Sequence, residues 1–161
     1  AEMSRDDMLT AVLIGSAIMV PIQFIFSSYS DRNGRKGVFM AGAILTAFWA
    51  FAIFPLVDTS NFWLIVIAVT IGLSLLSMMY GPQAAFFTEL FSTEVRYSGA
   101  TLGYQLGAIA GGAFAPTIAA KLWTDFDIFW VSVYIAFASV LTLISVMLLS
   151  ETYQTNLNEK I

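Results

Sequence analysis

Two clusters in this sequence combine charged side chains at a spacing that could do chemistry. The first is Asp31-Arg32-Asn33-Gly34-Arg35-Lys36, one carboxylate and three cations within six positions. An arginine fork can bond a carboxylate through two parallel N–H groups or reach the carbonyls that end a helix. Gly34 can take up a positive φ that other residues resist. Such a cluster can latch two helix ends and release them on movement. The simpler alternative is a solvated turn whose charges only set topology. The second cluster is Glu89 and Arg96, which bracket a short polar turn and can pair with each other or with the 31–36 cluster. Upstream of it, Pro82 has no N–H for the carbonyl of Met78, one turn back, so it can kink its helix. The alternative there is an ordinary kinked helix followed by a polar turn.

A third group is polar but uncharged. Gln83, Tyr104 and Gln105 lie within long apolar runs. They can line a cavity and touch a substrate, or hydrogen-bond between helices, and both readings stay open. Gly99, Gly103, Gly107 and Gly111, continued by Ala115 and Ala119, repeat every four residues. Small residues at that spacing let helix backbones approach closely in lipid. Each four-residue step drifts by about 40° on a 3.6-residue helix, so the contact line winds around the helix. Tyr97, Thr101, Tyr104, Gln105 and Ala108 form a stripe that is expected on the opposite side near one end.

Other chemistry is missing. The 161 residues include no Cys and no His. That excludes disulfides, thiol catalysis and thiolate metal sites, and removes the usual near-neutral proton carrier. No metal and no cofactor is expected. A nucleophile such as Ser74 has no base nearby, so an enzyme is not expected either.

The elements that position these residues follow from the charges. The chain is 58% hydrophobic and only 11% charged, with mean hydropathy +0.80. Soluble domains carry roughly 25% charged residues. So few charges are expected of a chain solvated by lipid. A net charge of −4 is too mild to argue for a nucleic-acid partner. Short charged zones leave five uncharged stretches: 8–30, 37–57, 59–88, 97–120 and 128–150. Each is long enough for a helix to cross about 30 Å of hydrocarbon at 1.5 Å per residue. The expected fold is therefore an all-α membrane protein of five transmembrane helices. The spans fall at about 8–30, 37–57, 61–87, 98–121 and 128–150, with a tail at 151–161. Ser4 and Asp7 read as a helix-start cap, and Asn33-Gly34 as a turn. The second and fifth spans are apolar nearly all round and are expected to face lipid. The first, third and fourth carry Gln23, Gln83, Tyr104 and Gln105, and are expected to face inward.

Lys and Arg counts set the orientation. Alternating zones put Arg32, Arg35, Lys36, Arg96 and Lys160 on one side, against Arg5 and Lys121 on the other. The richer side, with the C-terminal tail, is expected in the cytoplasm, which leaves the N-terminus outside. That arrangement, with no initiating Met and no signal-peptide n-region, is expected of a segment cut from a longer protein.

Asp31-Arg32-Asn33-Gly34-Arg35-Lys36 resembles the D-R-x-G-R-R/K loop motif of the major facilitator superfamily, with Ser27 where the family has Gly. The stretch from Gly81 to Ala100, containing Glu89-Leu90-Phe91-Ser92-Thr93-Glu94-Val95-Arg96-Tyr97-Ser98-Gly99-Ala100, resembles the E-L-F-P-T-x-V-R-Y-S-G-A segment of its metabolite:proton symporter family. There Ser92 stands in place of Pro. The resemblance runs over nearly the whole chain and implies helices eight to twelve of a twelve-helix bundle, in the inner membrane. It implies a cytoplasmic gate at Asp31, Arg32, Gly34, Arg35, Lys36, Glu89 and Arg96. It also implies that the intact parent moves a small metabolite with a proton, between this part and a missing N-terminal half. No Asp, Glu, Lys or Arg lies inside a span, so the proton site is expected in that missing part. The alternative is a complete small membrane protein that assembles with a partner through its glycine ladder.

Overall fold

A computed structural model gives the structure for residues 4–92 and 94–149. The expected tail at 151–161, the last residue of the fifth span and Thr93 of the second motif lie outside the described residues. Among the described residues seven helical segments form: α1 (Arg5–Asn33), α2 (Arg35–Asp58), α3 (Phe62–Glu89), α4 (Arg96–Ile109), a π-helical turn (Ala110–Phe114), α5 (Ala115–Asp125) and α6 (Ile128–Leu148). With α4, the π turn and α5 taken as one, five helices are long and apolar enough to cross a membrane.

Local chemistry explains the helix ends. The Ser4 hydroxyl accepts from the Asp7 N–H at 3.1 Å and starts α1. The Asn61 side chain accepts from Trp63 N (3.0 Å) and Leu64 N (3.4 Å) and starts α3. Asp127 starts α6. These caps satisfy N–H groups that have no partner in the helix. The 31–36 cluster is not a loop. Helix α1 runs to Asn33, α2 begins at Arg35, and Gly34 alone joins them at φ 103°, ψ 141°. A side chain there would be strained. The helices outrun the uncharged stretches because charged residues can continue a helix once it leaves the hydrocarbon.

Packing is dominated by close backbone approaches. Helix α3 lies between α1 and α2, and α2 lies between α3 and α6. A Cβ on Gly81 would sit 3.0 Å from the Gln23 carbonyl oxygen and 3.1 Å from Ser27 N, so α1 and α3 touch backbone to backbone. A Cβ on Gly42 would sit 2.9 Å from Met78 Cβ and Met79 Cγ, where α2 meets α3. Two apolar clusters close the ends of this layer. One holds Ala11, Ile65 and Val66, and the other holds Phe39, Phe86 and Val146.

Polarity therefore does not sort the helices as expected. The apolar α2 buries Val38, Phe39, Gly42, Ala43 and Ala50, because its small residues let α3 come close. Among its described residues, the fourth span has none that is buried. Its α4 part meets α3, and its α5 part meets α6. Its helix is also not uniform. Pro116 cannot donate to the carbonyl of Gly112, and the wider π turn with its two glycines lies just ahead of it.

Candidate functional site

Five helix ends meet where α1 and α3 finish, α2 and α4 begin, and α6 finishes. Arg35, the first residue of α2, reaches two ways. Its Nη1 lies 2.5 Å from Asp31 Oδ1 at the end of α1. Its Nε donates to Glu89 Oε1 and Oε2 at 2.8 and 2.7 Å, and its Nη2 lies 2.7 Å from Oε1. Glu89 is the last residue of α3. The Arg35 and Glu89 side chains are 14% and 17% exposed, whereas that of Asp31 is 55% exposed. Shielding from water makes the Glu89 contact the stronger of the two. Of the two partners open to Glu89, the structure joins it to the 31–36 cluster.

Lys36 adds the α6 end. Its Nζ donates to the carbonyls of Met147 (2.9 Å) and Leu149 (2.6 Å). A cation there satisfies orphan carbonyls and the negative end of the helix dipole. Nothing in the sequence pointed to this contact, since a helix-end carbonyl has no side-chain signature. Arg32 sits in the last turn of α1 and lines a shallow groove with Phe24, Ile25, Ser28 and Tyr29. Arg96 begins α4, and its Nε and Nη2 are buried with no hydrogen-bond partner among the described residues.

Away from the helix ends, α1, α3 and α4 line an open cavity of about 460 Å³. Gln23, Tyr80, Gln83, Thr88, Thr101 and Tyr104 supply its polar lining. A second cavity of about 490 Å³ shares Tyr80, Gln83, Phe87 and Tyr104, and runs on along Gly103, Gly107, Ala108, Gly111 and Gly112. The two form one groove between α3 and the fourth span.

Gln83 and Tyr104 thus come together, while Gln105 is not among the lining residues. Tyr80 and the pairing of Gln23 with Gln83 escaped sequence reasoning. The first was detectable, because Tyr80 lies three residues before Gln83 and shares its side of the helix. The second was not, because it depends on where α1 crosses α3.

The glycine ladder departs from expectation. Within this chain, a Cβ on Gly103, Gly107 or Gly111 would meet nothing within 4 Å. Only Gly99 is packed, against the Phe91 ring. The glycines also share the groove with Tyr104 and Ala108 rather than facing away from them. Tyr104 and Ala108 each follow a ladder glycine by one residue, about 100° around the helix, so the two stripes are neighbours rather than opposites.

The Major Facilitator Superfamily model matches residues 2–160. Among curated proteins, the chain is 37% identical over 150 residues to the inner membrane metabolite transport protein YhjE of Escherichia coli, covering 93% of this chain and 34% of that one. It is 30% identical over 146 residues to the shikimate transporter of E. coli (88% and 33% covered). It is 29% identical over 122 residues to a citrate-proton symporter of Klebsiella pneumoniae (74% and 27% covered). The chain spans between about a quarter and a third of the length of these relatives. No solved structure matches it. With its spanning helices, its charged helix-end cluster and a family match over nearly all its length, this membrane chain belongs to the Major Facilitator Superfamily, alongside that family's metabolite transport proteins.

Proposed function

We propose that the chain supplies helices eight to twelve of a twelve-helix secondary transporter, which moves a small metabolite with a proton by alternating access. The observation that carries this reading is the Arg35 network, in which one guanidinium ties the ends of α1, α2 and α3 while Lys36 holds α6. A rocking bundle needs helix ends that move together, and a shared ion pair gives them that coupling. In this reading Asp31, Arg32, Gly34, Arg35, Lys36, Glu89 and Arg96 form the cytoplasmic gate of an inner-membrane protein with its C-terminus inside. Gln83 and Tyr104 line the solute path. The proton site belongs to the part of the transporter outside this chain. The similarity to a citrate-proton symporter supports the coupling, and the shared length of about a quarter to a third supports the division.

The test is transport by the full-length protein that carries this chain, reconstituted in liposomes. Asp31→Asn is expected to slow uptake by about ten-fold, the loss of roughly one charge-assisted hydrogen bond, with insertion intact. Unchanged uptake counts against the gate. The open glycine face also fits a small protein that assembles with a partner. Coding sequence upstream of Ala1 decides between the two: further in-frame spans support the transporter, and a start codon directly before Ala1 supports the small protein.

A further inference from the structure

We infer that Gln23, Tyr80, Gln83, Thr101 and Tyr104 form an uncharged recognition site for the hydroxyl and carbonyl groups of the solute, leaving any charge on the solute to residues outside this chain. This rests on the transporter reading and names the solute chemistry of the same groove.

Three observations support it. The cavity between α1, α3 and α4 has no Asp, Glu, Lys or Arg in its lining. Its polar groups are two amides, two phenols and threonine hydroxyls, each of which can both donate and accept. The Gln23 and Gln83 amides make no hydrogen bond to another described residue, though both are half-buried. Unmet amides at membrane depth are costly, and a solute that brings its own donors and acceptors removes that cost. A carboxylate or ammonium group gains far less, because neutral dipoles do not replace its hydration. A volume of about 460 Å³ suits a solute of metabolite size. Gln23 and Tyr80 matter as much as Gln83 and Tyr104, because they come from the opposite wall and the preceding turn. A groove that hydrogen-bonds hydroxyls also rejects analogues lacking them, since its own polar groups are then left unpaired.

The experiment measures uptake by the full-length transporter in proteoliposomes. The probes are shikimate, quinate and gluconate, which carry several hydroxyls, with cyclohex-1-ene-carboxylate, acetate and glycine betaine, which carry none. The wild-type protein is expected to take up at least one hydroxylated probe and to favour it over the others. Gln23→Leu and Tyr80→Phe are each expected to raise its KM about ten-fold, with maximal rate within two-fold. Thr142→Ala on α6, away from the groove, is the control for handling and should leave KM unchanged. A different hydroxylated solute that is taken up replaces the probe in the KM comparison. Uptake confined to solutes without hydroxyls, whether among these probes or other metabolites, overturns the inference but leaves the transporter reading intact. So does an unchanged KM in both groove variants when they are folded and monodisperse. A wild-type protein that moves no probe and no other metabolite overturns the transporter reading, and this inference with it.

Discussion

At the scale of single residues, Arg35 is the chemical centre of the helix-end cluster. Its guanidinium meets Asp31 through Nη1 and Glu89 through Nε and Nη2, so it uses the breadth of a planar fork. A lysine ammonium is a single point of charge and cannot hold both carboxylates in that geometry. Arg35→Lys is therefore expected to lower stability by about 1–3 kcal/mol, the range for hydrogen bonds to charged groups. Glu89→Gln should cost a similar amount and Asp31→Asn less, because Asp31 is the more exposed partner. Thermal unfolding of the purified proteins in detergent checks the order. An Asp31 change as costly as the Glu89 change would contradict it. Lys36 offers a more local test. Lys36→Met keeps an apolar stem of similar length but leaves the Met147 and Leu149 carbonyls without their donor. Faster amide exchange is expected at the end of α6, with the α1–α3 junction unchanged.

At the scale of elements, the two kinds of glycine in this chain behave oppositely. Gly81 and Gly42 sit where helices touch, and the atoms nearest Gly81 are α1 backbone, which cannot swing aside. Gly81→Ala is expected to cost about 1–3 kcal/mol through overpacking. Gly107→Ala meets open space in this chain and adds a better helix former, so it should leave the chain's own stability unchanged or slightly raised. Melting temperatures of the two variants test the contrast, and equal losses would contradict it. This is also where sequence and structure part. Asp31, Arg35 and Glu89 were legible because charge is scarce in a lipid-solvated chain, so each charged zone marks a helix end. The five spans were legible for the same reason. Gly81 and Gly42 were not, because a close approach depends on which helix lies opposite. The regular ladder in the fourth span was legible as a pattern but not as a contact, since no described helix of this chain packs against Gly103, Gly107 or Gly111. The small residue expected of the motif at position 27 is Ser27, and the structure gives it the smallest neighbour available, the Gly81 backbone.

At the scale of the molecule, the layer α1–α3–α2–α6 is well packed, and the fourth span leans on it only through its two parts. Between them runs the groove, walled by Tyr80, Gln83 and Phe87 on one side and by Tyr104 and Gly107 on the other. A groove lined by amides and phenols can admit water. These 161 residues contain no Cys, so one introduced thiol is the only thiol of this chain, and also of a full-length protein whose other cysteines are replaced. Ala108→Cys places that thiol in the groove, whereas Phe137→Cys places it on the exposed surface of α6. In liposomes containing this chain alone, a water-soluble maleimide is expected to label position 108 and to leave 137 untouched. In the full-length transporter, labelling at 108 should slow when the other half closes over the groove, and slow further when a transported solute fills it. Equal labelling of 108 in both proteins, with and without solute, would show that nothing covers this face and that no solute passes along it.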